Sequence, residues 1–345
     1  MNLEYLKHMN KAFERIVNAD AHGTTRMMSS MKVWEWNSGV CLYGIIRAHE
    51  SLGDKKYLDY LQQWLDKMIP KRKTGSVNRV IPACAAQYVY SKTGDKKYLD
   101  ICEEYADWCL HKAIRTENGG YGHVWGPGDD GVELGAPEYA HQLWLDSLYM
   151  SCIFLFRYGT MTGDEAIINE GLNQVRIHID STWDDSVRLC RHAYDCTSQK
   201  HLGHFWGRGN GWVAVALVEL LRLYPKADEY FYNKYKSLMK MAYDSKSENG
   251  MLHTLINVPD SYCESTGSML FGYAAAEGAR MGLLGDEYAA WAAEIADNLE
   301  YTPNGAVMYA SDGTGPDAED VYKNVAFRET TYSNGLVLQL LSSLK

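Results

Sequence analysis

The seven residues Gly53-Asp54-Lys55-Lys56-Tyr57-Leu58-Asp59 recur unchanged as Gly94-Asp95-Lys96-Lys97-Tyr98-Leu99-Asp100, 41 positions further on. Exact repetition followed by matching apolar positions marks a repeated structural unit. Leu58, Leu61, Leu65 and Met68 correspond to Leu99, Cys102, Ala106 and Cys109. Steps of three and four place these side chains on one face of an amphipathic helix that begins just after the turn. Related turns stand at Gly163-Asp164-Glu165 and Gly285-Asp286-Glu287, with Pro225-Lys226-Ala227-Asp228 as a variant.

The segments before these turns differ from those after them. Val40–Leu52, Ile81–Thr93, Leu148–Met161, Val213–Tyr224 and Met269–Leu284 are apolar around most of the helical circumference, so they require burial on nearly every side. A buried helix, a turn and a one-sided helix, repeated about every 40 to 70 residues, describe helical hairpins with inner and outer members. About six hairpins fit the length. An open solenoid needs polar caps at both ends, yet the last segment, Thr331–Leu344, ends apolar. The pattern predicts an all-α fold, a closed six-hairpin (α/α)6 barrel forming one domain over residues 1–345.

Composition agrees. The 345 residues are 46% hydrophobic with no apolar run long enough for a membrane span, and only eight prolines interrupt them. The net charge of −10 disfavours nucleic acid and anionic membranes as partners, because phosphate binding rests on Lys and Arg. Met1–Asp20 mixes charged residues among apolar ones, unlike a secretory signal, and a cytoplasmic location is expected. The eight cysteines form no CxxC pair and fall mostly in helical apolar stretches, as buried thiols do. Cys190, His192 and Cys196 lack the paired spacing of a zinc site, and no metal or other cofactor is expected. The sequence does not set the oligomeric state.

Counting back from the turns locates a common rim. Trp36, Asn78 and Asp146 precede the glycines at 53, 94 and 163 by sixteen or seventeen residues, and Arg208 precedes Pro225 by the same interval. That is about 25 Å, one inner-helix length, which puts all four at the N-terminal ends of inner helices. Two segments there carry chemistry. In His141-Gln142-Leu143-Trp144-Leu145-Asp146-Ser147-Leu148-Tyr149-Met150 one carboxylate sits among large apolar side chains. It serves either as a helix N-cap or as a working acid; burial raises its pKa, the helix dipole lowers it, and acid chemistry requires burial to win. In Trp206-Gly207-Arg208-Gly209-Asn210-Gly211-Trp212 glycines permit close backbone approach, indoles stack on sugar rings and a guanidinium grips a carboxylate. The alternative is a packed turn with Arg on Trp. Gly119–Trp125 reads as a loop bearing His123, and Gly126–Glu133, with Asp129 and Asp130, as a solvated acidic lid.

These segments, with Trp34-Glu35-Trp36-Asn37-Ser38-Gly39-Val40 and Glu264-Ser265-Thr266-Gly267-Ser268, resemble glycoside hydrolase family 105, the unsaturated rhamnogalacturonyl hydrolases, over most of the chain. The resemblance implies the same barrel. It implies Asp146 as general acid and base, Trp206, Arg208 and Trp212 around an unsaturated uronate, His123 and His192 as polar contacts, and Trp36 as an aromatic wall. Asn78 departs from it, standing among the substrate-binding positions where family members commonly carry Asp. The implied partner is a small unsaturated oligosaccharide, a lyase product whose terminal 4,5-unsaturated uronic acid is removed by hydration of the C4=C5 bond. An unsaturated glucuronyl hydrolase acting on another acidic polysaccharide is the near alternative. A sugar 2-epimerase on the same barrel would need a His pair, for which His201 and His204 are available, and a non-catalytic sugar-binding protein would leave the lone acid unexplained.

Overall fold

The computed structural model describes residues 2–22, 30–124 and 137–344; Trp125 and the acidic Gly126–Glu133 loop lie outside the described residues. After α1 (Leu3–His22), α2 (Trp36–Leu52) ends at Gly53, whose φ of 69° is the left-handed conformation that glycine adopts without strain. Asp54 then caps α3 (Lys55–Met68) by accepting the Lys56 N–H at 3.1 Å. The copy repeats this corner: Gly94, φ 69°, closes α4 (Ala83–Thr93), and Asp95 caps α5 (Lys96–Asp107). A π-helical turn, Leu148–Cys152, leads into α6 (Ile153–Thr162), and Gly163 with Asp164 makes the same corner into α7 (Glu165–Thr182).

Asp228 caps α9 (Glu229–Asp244) after α8 (Gly207–Leu223). The corner between α10 (Ser265–Arg280) and α11 (Asp286–Asp297) departs from the repeat: Gly282 takes the left-handed position at φ 71°, while Gly285, φ −76°, is the N-cap of α11. A short α12 (Glu319–Lys323) precedes α13 (Thr331–Ser343).

The fold is the (α/α)6 barrel. Helices α2, α4, α6, α8 and α10 pack each on the next, and α13 closes the ring between α10 and α2. The outer layer is α3, α5, α7, α9, α11 and α1, so the sixth hairpin unites the two ends of the described chain. Closure brings backbones into contact: a Cβ on Gly44 would lie 2.0 Å from the Gly335 carbonyl oxygen. Burial follows the apolar pattern. In α8 every residue from Gly207 to Leu221 is buried, whereas α3 buries Tyr57, Tyr60, Leu61, Trp64, Leu65 and Met68 on one face. Ile153, Phe154, Leu155 and Phe156 of α6 are wholly enclosed, each contributing about 1.5–3 kcal/mol.

Five short strands, which helical periodicity does not announce, lie between α5 and α8: β1 (Gln142–Trp144), β2 (Trp183–Asp184), β3 (Leu189–Cys190), β4 (Ala193–Asp195) and β5 (Lys200–Leu202). They form a three-stranded antiparallel sheet ordered β1-β4-β5 and a β2-β3 hairpin. No described helix is long and apolar enough to cross a membrane. All eight cysteines are free thiols.

Candidate active site

A backbone ladder sets the acid beside a histidine from a distant segment. β1 pairs with β4, Trp144 opposite Ala193, and just beyond it the Leu145 N–H donates to the His192 carbonyl at 3.1 Å. The His192 N–H donates in turn to the His204 carbonyl at 3.0 Å. Asp146 opens the helical run into α6, and the ladder brings His192 Nε2 to 3.5 Å from Asp146 Oδ2. Neither atom has a closed hydrogen bond. Asn210 on α8 braces this assembly by accepting the Cys190 N–H at 2.8 Å and donating to the Cys190 carbonyl at 2.9 Å.

Above Asp146 opens a cavity of about 370 Å³ lined by aromatic and polar groups from well-separated parts of the sequence. Trp36, Asn78, Asp146 and Arg208 all face it, as the rim spacing predicts, together with His123, Trp206 and Trp212. Trp36 is the first residue of α2, and Asn78 lies in a 3₁₀ turn, Val77–Arg79, ahead of α4. A Glu35–Arg79 ion pair of 2.8 Å and a 2.9 Å bond from Trp34 Nε1 to the Arg79 carbonyl tie those two segments together. Trp206 precedes α8, and Arg208 and Trp212 project from one face of it at a four-residue spacing.

The Arg208 guanidinium is held mainly by neutral acceptors. It donates to the Ser311 carbonyl at 2.9 Å, the Ser311 hydroxyl at 2.8 Å, the Tyr332 hydroxyl at 3.0 Å and the Asp312 carbonyl at 2.7 Å. The Glu264 carboxylate, 3.9 Å away, is already occupied by the Thr266 hydroxyl and the Gly267 and Ser311 N–H groups. Arg208 is therefore rigid while much of its charge stays available to an anion. Around it the rings are ordered: His123 stacks on Trp144 at 4.2 Å and 4°, and His192 lies 4.3 Å from Trp206.

Burial pushes the Asp146 carboxyl upward, but the hydrogen-bonding contact and charge of His192, then His123 and Arg208, outweigh it and hold the group below the usual carboxylate range. Burial does not win at Asp146; the acid rests ionised. Both imidazoles are lowered too, but here burial is the cause. Burial depresses His123 to about 4 and also lowers His192 against the pull of Asp146, so both are neutral near pH 7. One carboxylate, the neutral His123 imidazole and a fixed cation line the hollow, with the neutral His192 behind the carboxylate.

Residues 6–344 match the family model described as Glycosyl Hydrolase Family 88. The chain belongs to that family. It is a glycoside hydrolase of the family 88 and family 105 group, and the resemblance seen in its motifs holds. Among curated relatives it is similar to "Unsaturated rhamnogalacturonyl hydrolase YesR" of Bacillus subtilis, 30% identical over 68% of each chain. A solved structure described as a possible family 105 member from Klebsiella pneumoniae superposes with a TM-score of 0.90 at 23% identity, covering 99% of this chain and 93% of that one. The unsaturated glucuronyl hydrolase of Bacillus sp. GL1 shares the fold with a TM-score of 0.73 at 15% identity, covering 98% and 96%.

Within this family 88 barrel, three expectations change. His192 does not face the cavity; its side chain is fully enclosed behind Asp146. The glycines of the Trp206–Trp212 segment face protein rather than ligand, since a Cβ on Gly207 would meet the His253 carbonyl at 2.7 Å, on Gly209 the Trp206 ring at 2.8 Å and on Gly211 Leu270 at 2.8 Å. The segment runs into α8 from its N-cap, Trp206. His201 and His204, the pair an epimerase would use, do not line the cavity; His201 Nε2 lies 3.0 Å from the Ser181 carbonyl.

The family 88 cavity also includes residues that sequence analysis did not single out. Tyr139, Trp144 and the Gly313-Thr314-Gly315 segment line it, and Tyr322 and Tyr332 stand behind its walls. Trp144 lies inside the Asp146 motif, where its place two residues before the acid was the available signal. Tyr322 belongs to a five-residue helix in an irregular segment and carried none.

Proposed function

We propose that this chain is an unsaturated rhamnogalacturonyl hydrolase, removing the terminal 4,5-unsaturated uronic acid from short lyase-derived pectin oligosaccharides in the cytoplasm, with Asp146 as general acid and base. The observation that carries this reading is that Asp146 is the one carboxylate among the described cavity-lining residues. Ordinary glycoside hydrolysis uses two carboxylates flanking the anomeric carbon. Hydration of an alkene needs one group that gives a proton and then takes one.

Protonation of C4 by Asp146 leaves an oxocarbenium-like centre at C5, stabilised by the ring oxygen. The ionised Asp146 then takes a proton from a water that adds to C5, and the resulting hemiketal opens and expels the aglycone. Proton count is conserved and the acid is regenerated. Arg208 faces the uronate carboxylate, supplying local positive charge that the net −10 of the chain lacks. An anion bound there offsets the Arg208 charge that helps hold Asp146 ionised, so the bound substrate itself raises the acid toward its protonated form. Trp212 Nε1 is a buried donor without a partner in the cavity wall, available to a sugar oxygen. Asn78, in place of a second carboxylate, is compatible with one-acid chemistry. The likeness to the Bacillus subtilis rhamnogalacturonyl hydrolase supports the galacturonyl-rhamnose choice.

The test follows the ultraviolet absorbance of the conjugated uronate during incubation with unsaturated galacturonyl-rhamnose and with unsaturated glucuronyl disaccharides. Loss of the band with faster turnover of the first substrate is expected. Aglycone release with the band intact refutes hydration, and preference for the glucuronyl substrate refutes the rhamnogalacturonyl assignment.

A further inference from the structure

We infer that Tyr322 is a positioning residue that fixes the tautomer of His192 and through it governs where the Asp146 proton resides; the catalytic half of this inference rests on the function proposed above, the tautomeric half on geometry alone. The Tyr322 hydroxyl lies 2.6 Å from His192 Nδ1, with both side chains fully enclosed. On its other side the phenol oxygen accepts the Asp317 N–H at 3.4 Å, and the His204 backbone also contacts it in the sense that favours negative charge on oxygen. Its neighbours there are donors, so the phenolic proton has Nδ1 as its acceptor. Burial keeps the phenol protonated, pushing it well above its ordinary range.

A neutral imidazole that accepts at Nδ1 carries its one proton on Nε2. Nε2 is the atom facing Asp146 Oδ2 at 3.5 Å, and neither has another hydrogen-bond partner. The chain of contacts therefore points an N–H at the carboxylate, stabilising its ionised form without placing a full positive charge beside it. With the opposite tautomer, the Nε2 lone pair would face Asp146 and compete with C4 for the proton the acid must deliver.

The surroundings are shaped to this arrangement. A Cβ on Gly203 would sit 2.4 Å from the Tyr322 oxygen, and Gly203 has a φ of 68°. Tyr322 also belongs to the same stretch of chain as Gly313–Gly315, which lines the cavity, so one segment supplies both a wall and the tautomer control.

The experiment records nitrogen-15 spectra of imidazole-labelled protein without substrate, then the pH dependence of kcat/KM, for wild type, Tyr322→Phe, His192→Gln and the double variant. In wild type, His192 Nδ1 is expected to resonate as the bare, pyridine-type nitrogen and Nε2 as the protonated one. Tyr322→Phe is expected to populate the other tautomer, to lower kcat about tenfold, the worth of one buried hydrogen bond, with KM little changed. The limb on which rate falls with rising pH should move to higher pH, since Asp146 loses a donor that favours its ionised form. Gln at 192 offers an amide N–H whatever residue 322 is, so in that background Tyr322→Phe should produce no further shift. A protonated Nδ1 in wild type overturns the inference, as does an unmoved limb in Tyr322→Phe or an equal shift in both backgrounds. If Asp146→Asn instead retains turnover, the proposed function fails while the spectra still decide the tautomer.

Discussion

The two ends of the barrel are built from the same helices and treat charge in opposite ways. At the C-terminal ends of the inner helices, Arg157 donates to Gln87 at 3.0 Å and to Glu50 at 2.9 Å, Arg47 reaches Glu50 and Glu277, and Glu219 receives Arg222 and the Tyr273 hydroxyl. Burial would raise the Glu219 carboxyl, yet Arg222 and Arg47 hold it down to about 2. Arginines there also face the negative ends of the helix dipoles. At the opposite mouth the dipole ends are positive, Asp146 Oδ2 lacks a closed hydrogen bond, and Arg208 is held chiefly by carbonyls and hydroxyls. Where charges are matched the barrel gains rigidity; where they are left unmatched it can act on an anion.

The sharpest way to separate the ends is to neutralise one acid at each. Asp146→Asn is expected to lower turnover about a thousandfold with thermal unfolding unchanged, the loss general acid–base chemistry carries. Glu219→Gln leaves buried arginines without their partner and is expected to cost about 3–5 kcal/mol by chemical denaturation, with turnover per folded molecule intact. Loss of activity without loss of stability in the second variant would erase the distinction.

Acid titration distinguishes the ends by pH window. His123 at the mouth and His178 in α7 are both depressed by burial from 6.5 to about 4. Between those values the unfolded chain binds protons that the folded one refuses, so stability falls as pH drops from 6.5 to 4, by about 3 kcal/mol for each imidazole. Glu219, held down to about 2, is protonated only below that window. Urea midpoints that stay level from pH 6.5 to 4.5 would contradict the buried neutral imidazoles.

Smaller effects test the cation and the missing carboxylate. Arg208→Lys removes the planar fork and is expected to reduce kcat/KM about a hundredfold, mostly through KM. Arg157→Lys at the other end should lower the unfolding temperature and leave KM alone. Asn78→Asp adds a second negative charge to the cavity; a few-fold change in kcat/KM is expected, with the falling limb of the pH profile moved upward by repulsion of the Asp146 carboxylate.

Much of this architecture was legible in residue order because the repeated Gly-Asp pair does two jobs, a left-handed stop and an N-cap. Counting back from it placed Trp36, Asn78, Asp146 and Arg208 on one rim, where they stand. What spacing could not convey is the contact between His192 and Asp146, because three-residue strands carry no periodic signal and the ladder joins distant segments. Nor could it weigh burial against charge at Asp146, which depends on how near His192 and Arg208 come. Asn210 shows the same limit: its place in a motif was visible, its clamp on Cys190 was not. Tyr322 was invisible because an irregular segment delivers it.

The most direct test of one acid acting twice is product analysis after turnover in deuterium oxide. A single deuterium at C4 in the wild-type product, with no such product from Asp146→Asn, is the expected result. Aglycone released beside an unlabelled, still unsaturated uronate would contradict proton delivery to C4.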